Sequence, residues 1–355
     1  MEKNKIKLIL LLLIIGAATL SACKKDEQEI IRIMPDNRVF IVNEGPFMSG
    51  SGSIDIYYRD SMTVVHDAFK GVNGFELGNL VQSLYVHEDR VYIVVNNANR
   101  IEVATSGDLI SVGSIVGINM PRYFLGIDDK KGYVSSWDNK VYTVDLESLE
   151  ITGSINVATG PEKMMLAGDK VWVLNQGGLS YDSTVSVIDW KTDQMVKNIV
   201  VGDKPSGIVS DASGMIWVMC SGNGWNGFPG DDDTEGRLVC IDPDDLNVIK
   251  TFVFPDALNH PEKLVIDNDG QHVYFNYPGG LCKTDILQQT LEITFVMSFT
   301  SMYYGLGYDP QEGLVYVTDP RDYVQNGQVI IIDPEKEEVV TSFDAGIIPG
   351  EFYFN

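Results

Sequence analysis

A chain with only 26 lysines and arginines against 50 aspartates and glutamates places several of its cations, and several aromatic residues, at recurring positions. Arg122 with Tyr123, Glu162 with Lys163, Lys204, Glu262 with Lys263, Tyr303 with Tyr304, and Glu351 with Phe352 each open a short apolar segment. Trp137, Trp225, Arg321 and Tyr323 lie in turn-rich stretches one strand further on. Cationic groups attract anions, and ring faces stack on other rings, so a concavity lined by both suits an anionic, aromatic or carbohydrate-like ligand. Arg122, Tyr123, Trp137, Lys163, Lys204, Trp225, Lys263, Tyr303, Arg321 and Tyr323 are therefore the candidate ligand-binding set. The competing reading is local: Lys163 and Lys263 pair with Glu162 and Glu262 beside them, and the rings pack loops together.

Other chemistry lacks parts. There is no CxxCH for haem and no G-x-S-x-G nucleophile elbow, and no catalytic residue or cofactor is assigned. His66, His87, His260 and His272 are scattered, so no metal site is assigned. Asp231, Asp232 and Asp233 lack the alternating ligand spacing and fixed glycine of a calcium loop and read as a solvated acidic loop. Glu162, Glu262 and Glu351 keep a lactonase-like metal site as an alternative. Cys220, Cys240 and Cys282 sit in strand-like segments and read as buried free thiols. A formal charge of -24 argues against a nucleic-acid partner, which needs clustered cations.

The elements that must position these residues repeat. From Gly160 to Gly202 the chain reads as four short strands bounded by turns, with alternation and no helical period. The second strand recurs as Val39 to Val42, Val91 to Val95, Gly132 to Ser135, Val171 to Leu174, Ile216 to Met219, Val273 to Phe275, and Val315 to Thr318. The third recurs with an aspartate after it: Asp55, Asp145, Asp189, Asp242, Asp285 and Asp333, read as caps of the turn into the fourth strand. A proline opens the first strand at Pro121, Pro161, Pro205, Pro261 and Pro349. The segment from Pro349 to Asn355 is a first strand without a successor, and Val39 is a second strand without a predecessor. This predicts an all-β, seven-bladed propeller of four-stranded blades, its ring closed by the C-terminal strand in the N-terminal blade. Both the loops from strand two to three and the starts of the first strands fall on one face.

The Pro-first strand, the V-x-V second strand and the V-x-V-I-D third strand resemble the YncE-like seven-bladed β-propellers over nearly everything after residue 38. That resemblance implies a secreted or surface-located binding propeller and carries over no catalytic residue.

The N-terminus reads as an address. Lys3, Lys5 and Lys7 precede an apolar run from Leu8 to Ile15, and Leu20, Ser21, Ala22 and Cys23 resemble a lipobox with Cys23 lipidated. Lys24, Lys25, Asp26 and Glu27 look like the export signal that sends Bacteroidota lipoproteins to the outer face of the outer membrane. The expected organisation is a signal peptide at 1-22, a lipidated acidic tether at 23-38 and one propeller at 39-355. The expected function is that of a surface lipoprotein passing a ligand, best a ferric siderophore or similar anionic aromatic compound, to a TonB-dependent outer-membrane transporter. The alternatives are a protein-interaction or adhesion scaffold and, further off, a propeller lactonase or lyase.

Overall fold

The computed structural model describes residues 37–299 and 303–354. The signal peptide, Cys23 and nearly all of the tether lie outside them. The described residues form seven antiparallel four-stranded sheets from strands numbered β1 to β28 in chain order. Blade 4 shows the pattern: β12 (Pro161–Ala167), β13 (Lys170–Asn175), β14 (Thr184–Asp189) and β15 (Gln194–Val200) lie side by side in chain order.

The first strands are β28 (Pro349–Phe354), β4 (Val81–His87), β8 (Pro121–Gly126), β12, β16 (Pro205–Ser210), β20 (Glu262–Ile266) and β24 (Leu306–Asp309). Each touches the next, and β24 touches β28, so they form the inner wall of a closed ring. The second strands are buried on both faces, which is why they read as unbroken apolar runs. Along β13, Val171 and Val173 pack towards blade 3 with Tyr133 and Val141, while Trp172 and Leu174 pack towards blade 5 with Ile208 and Val218. Fourth strands such as β15 are mostly exposed and form the outer rim.

The strand-end aspartates cap turns as expected in most blades. Asp189 Oδ1 accepts from the backbone N–H groups of Lys191 and Thr192, and Asp145, Asp242 and Asp333 do the same in their blades. Asp55 is a correction. It lies inside β2 (Ser53–Tyr58), is buried, and accepts from the backbone N–H groups of Asp67 and Gly346 and faces His66 Nδ1 at 3.1 Å. Its carboxylate anchors the link to blade 2 instead of a hairpin. That link contains a helix, α1 (Ala68–Asn73), closed by Gly74 at φ 73°. Six residues are too few to show a helical period, so no sequence pattern announces it.

Blade 1 is composite, in the order β28, β1 (Arg38–Asn43), β2 and β3 (Thr63–Val65). Arg59 Nε, just past β2, lies 2.6 Å from Asp309 Oδ2 with both side chains nearly sealed from water, a latch between blades 1 and 7. Phe352 and Phe354 stand edge-on to Tyr316 at 5.6 and 5.1 Å.

Candidate functional site

The inner strands open with a bulge. The register shifts between Pro121 and Phe124, Pro161 and Met164, Pro205 and Gly207, and Glu262 and Val265. A bulge re-aims the residues within it, and here those are Arg122 and Tyr123, and Glu162 and Lys163. The second-to-third loops press onto the same end: the N–H groups of Gln176 and Gly177 donate to the carbonyls of Gly160 and Thr159. Gly160 sits at φ +60°, and a Cβ there would come within 2.1 Å of Gly178 N, so only glycine permits this approach.

The mouth is a mated set. Arg122 Nε donates to both oxygens of Glu162 at 2.9 and 3.1 Å, and Trp137 Nε1 donates to the same carboxylate at 2.6 Å. The Arg122 guanidinium lies over the Trp137 ring, 4.1 Å from its centroid. Tyr123 donates its hydroxyl to Glu351 at 2.8 Å, and Tyr304 donates to Glu44 at 2.7 Å. Lys263 Nζ is 5.6 Å above the Tyr304 ring, and Tyr323 stands edge-on to Tyr304 at 6.1 Å. Burial alone would lower the Arg122 pKa, but the neighbouring Glu162 charge carries it upward. Burial pushes both phenols well above their ordinary value, the nearby carboxylates adding to it.

A second group stands on blade 5. Lys204 Nζ donates to the Gly224 carbonyl at 3.0 Å and lies over the rings of Trp225 and Tyr181 at 4.8 and 5.6 Å. The loop 221–236 thus folds onto the mouth. Burial lowers the Lys204 pKa against the pull of Glu262, Asp232, Asp233 and Asp203. Lys204 and Lys263 hold left-handed backbone, φ 52° and 61°, a strained conformation for residues with a Cβ.

The candidate residues therefore divide. Arg122, Tyr123, Trp137, Lys263 and Tyr323 gather at the mouth with Glu44, Glu162, Tyr304 and Glu351. Lys204 and Trp225 form the blade 5 group. Lys163 is exposed and makes no hydrogen bond or ion pair among the described residues. Arg321 is committed elsewhere, donating to Asp344 at 2.6 Å and to the Asn326 carbonyl at 2.8 Å. Tyr303 is buried against Phe299 beside the mouth, and its neighbour Tyr304 takes the inward position. Glu162 pairs with Arg122 of the preceding blade, not with adjacent Lys163. Sequence reasoning missed Glu44, the first residue after β1, because nothing local says that a loop carboxylate meets Tyr304 at the far end of the chain.

Among the described residues no group of three or more His, Cys, Asp and Glu side chains converges as a metal cage. His260 Nδ1 lies 3.0 Å from the Ser221 carbonyl, and Asp232 and Asp233 accept from Asn223 and Gly230 within their own loop. The three cysteines are free and buried, and burial pushes the thiols of Cys240 and Cys282 up to about 12, too high for a reactive thiolate.

Among the mouth carboxylates, Glu44 is raised. Burial dominates at Glu44, opposed by the Tyr304 hydrogen bond, Lys263 and Arg122, with Glu351 adding to the rise. A carboxylate raised in the folded state stabilises below its unfolded pKa, and that contribution is lost as pH rises through the folded value. Glu44→Gln keeps an acceptor for Tyr304 without the charge. The thermal stability of the wild type relative to Glu44→Gln is therefore expected to fall from acidic to neutral pH, read from paired melts. A difference independent of pH would contradict it.

A family model matches residues 37–333, most of the ring. The chain belongs to the family described as Domain of unknown function (DUF5074). No curated protein matches it. Among solved structures, this DUF5074 chain is similar to a quinonprotein alcohol dehydrogenase-like protein from Bacteroides thetaiotaomicron, with TM-score 0.65 and 15% identity over 90% of this chain and 78% of that one. It is also similar to Kuenenia stuttgartiensis hydrazine synthase, with TM-score 0.59 and 14% identity over 78% and 92%. Apo AztD from Citrobacter koseri gives TM-score 0.53 and 13% identity over 88% and 82%. At such identities the likeness is one of fold.

Proposed function

We propose that this DUF5074 propeller is a binding protein that captures a ligand at the mouth of its channel, as a lipid-anchored surface protein that passes the ligand to an outer-membrane TonB-dependent transporter. The observation that carries the binding reading is the mouth itself, where inner strands and loops of several blades contribute charged groups and rings to one concavity. Arg122 uses only Nε on Glu162, Lys163 has no ion-pair partner among the described residues, and Lys263 is held over a ring. Such cations beside rings suit an anionic aromatic compound, for which a ferric catecholate siderophore is the best candidate. The lipobox, the acidic tether and the YncE-like resemblance support the surface location and the hand-off.

Titration with ferric catecholate siderophores tests the ligand. Saturable binding at micromolar concentration is expected, weakened about tenfold by Lys163→Ala or Lys263→Ala, the worth of one charge-assisted contact. No saturation, or binding indifferent to Lys163→Ala, Lys204→Ala and Lys263→Ala together, overturns it.

A second reading, a protein-interaction or adhesion scaffold, has its own observation. Phe47, Met48, Leu179, Trp225, Phe228 and Val324 are 70–91% exposed, and all lie in second-to-third loops on the mouth face. An apolar rim of this kind marks protein contact surfaces. A stable partner in membrane pull-downs without any small-molecule thermal shift would favour it. Turnover abolished by a chelator would instead favour the lactonase reading.

A further inference from the structure

Beside the mouth, the longest second-to-third loop stands next to the shortest. The chain from 221 to 236 leans inward from blade 5, whereas in blade 6 β21 (His272–Tyr277) turns straight into β22 (Gly280–Asp285) through Pro278 and Gly279. The long loop is clamped in place: Asn226 Nδ2 donates to the His260 carbonyl at 2.9 Å, and His260 N donates back to Asn226 Oδ1 at 2.8 Å. The step between the two loops leaves an open depression of about 230 Å³, lined by Asn226, Glu262, Asn276, Tyr277, Phe299 and Tyr303.

Glu262 is its charged group. It makes no hydrogen bond and no ion pair with any described residue. The basic side chains around it are held by other contacts, Lys263 over Tyr304, His260 at the Ser221 carbonyl, and Lys204 by Gly224 and Trp225. Burial accordingly raises the Glu262 pKa, with Lys263, His260 and Lys204 only partly offsetting it. A half-desolvated carboxyl without a partner is stabilised by a cation that arrives with its own hydrogen-bond donors.

Asn276 is the partner of Glu262 across the β20–β21 ladder. Asn43 and Asn175, which end the second strands of blades 1 and 4 one position beyond the place that Asn276 holds in blade 6, donate their Nδ2 groups to Ser53 and to Thr184 and Ser186 of their own third strands. In blade 6 the facing residue is Leu281, which has no acceptor. The buried Asn276 amide therefore has neither its Nδ2 nor its Oδ1 bonded within the protein. The rings of Tyr277, Phe299 and Tyr303 complete the walls, Phe299 and Tyr303 meeting edge-on at 3.9 Å between centroids.

We infer that this depression is a subsite for an organic ammonium group, held by the Glu262 carboxylate and the faces of Tyr277, Phe299 and Tyr303, with Asn276 as a further acceptor. Carboxylate plus ring faces is the arrangement that favours a cationic nitrogen over a neutral group of the same shape. At about 230 Å³ the depression is below the roughly 300 Å³ at which whole-ligand pockets begin, so it takes an amine-bearing arm and not an entire large ligand. The assignment rests on Glu262 and Asn276, which the anion reading does not use, although Lys263 of that reading adjoins Glu262 on the same strand.

The test is a titration of the intact protein with benzylammonium, benzyl alcohol and benzoate, followed by ligand-observed NMR. Benzylammonium is expected to bind saturably in the millimolar range and about tenfold more tightly than benzyl alcohol, with benzoate not binding. Glu262→Gln, a shape-preserving change, is expected to remove that preference while the melting temperature is retained. Equal binding of benzylammonium and benzyl alcohol to the wild type overturns the inference without use of any variant, and so does an ammonium preference that survives Glu262→Gln. Failure of siderophore binding leaves this result unaffected, so the two readings fail separately.

Discussion

A chain ending at Ile348, without β28, is expected to lose its cooperative thermal transition and to elute as associated species. β28 is the first strand of blade 1, and its loss uncovers the ladder edge of β1, where Val39, Phe40 and Ile41 are fully buried. It also removes Phe352 and Phe354 from Tyr316 and opens the contacts of β28 with β4 and β24. Each lost aromatic burial costs about 1.5–3 kcal/mol and each lost ladder hydrogen bond about 0.5–1.5 kcal/mol. Their sum approaches the roughly 5–15 kcal/mol by which ordinary domains are stable. The exposed apolar edge of β1 then becomes a template for intermolecular pairing. Circular dichroism melts with size-exclusion chromatography check this, and a monomer melting within a few degrees of the full chain would refute it.

Arg122→Met is expected to destabilise the protein by about 3–5 kcal/mol, because it strands the Glu162 carboxylate in a site where only 8% of that side chain is exposed. Trp137 Nε1 alone then faces the charge, and the cation over its ring is gone. Glu162→Gln in the same background should recover most of the loss, since the amide oxygen still accepts from Trp137 and no buried charge remains. The measurement is a double-mutant cycle by denaturant unfolding. Additive single effects would show that the pair does not couple. The double variant also separates stability from the proposed binding: it restores the fold but leaves the mouth without its guanidinium.

How much of this was legible varies with the range of the interaction. The blades were legible because their determinants are local: alternation in Thr184–Asp189, a proline at 161, an Asp189 carboxylate reaching N–H groups two and three residues on. The same reasoning failed at Asp55, whose partners Asp67 and Gly346 come from the link to blade 2 and from blade 7. It placed Arg122 and Tyr123 on the right face, because the bulge follows the proline. It took Tyr303 into the candidate set, whereas Tyr304 points inward, since which of two successive residues does so is set by packing against Phe299 and Glu44.

By itself, then, the order of residues along the chain determined the number of blades, the closure by Pro349–Phe354 and the face on which charged and aromatic residues collect. Turn chemistry and strand period act over a few residues and repeat, so they survive being read in one dimension. Only the tertiary structure decided that Arg122 mates with Glu162 across 40 positions, that Glu44 and Tyr304 meet across 260, and that Glu262 and Asn276 are left without partners beside an aromatic wall. Those outcomes depend on the curvature of a closed ring and on two neighbouring loops of unequal length, and neither is a property of any single segment.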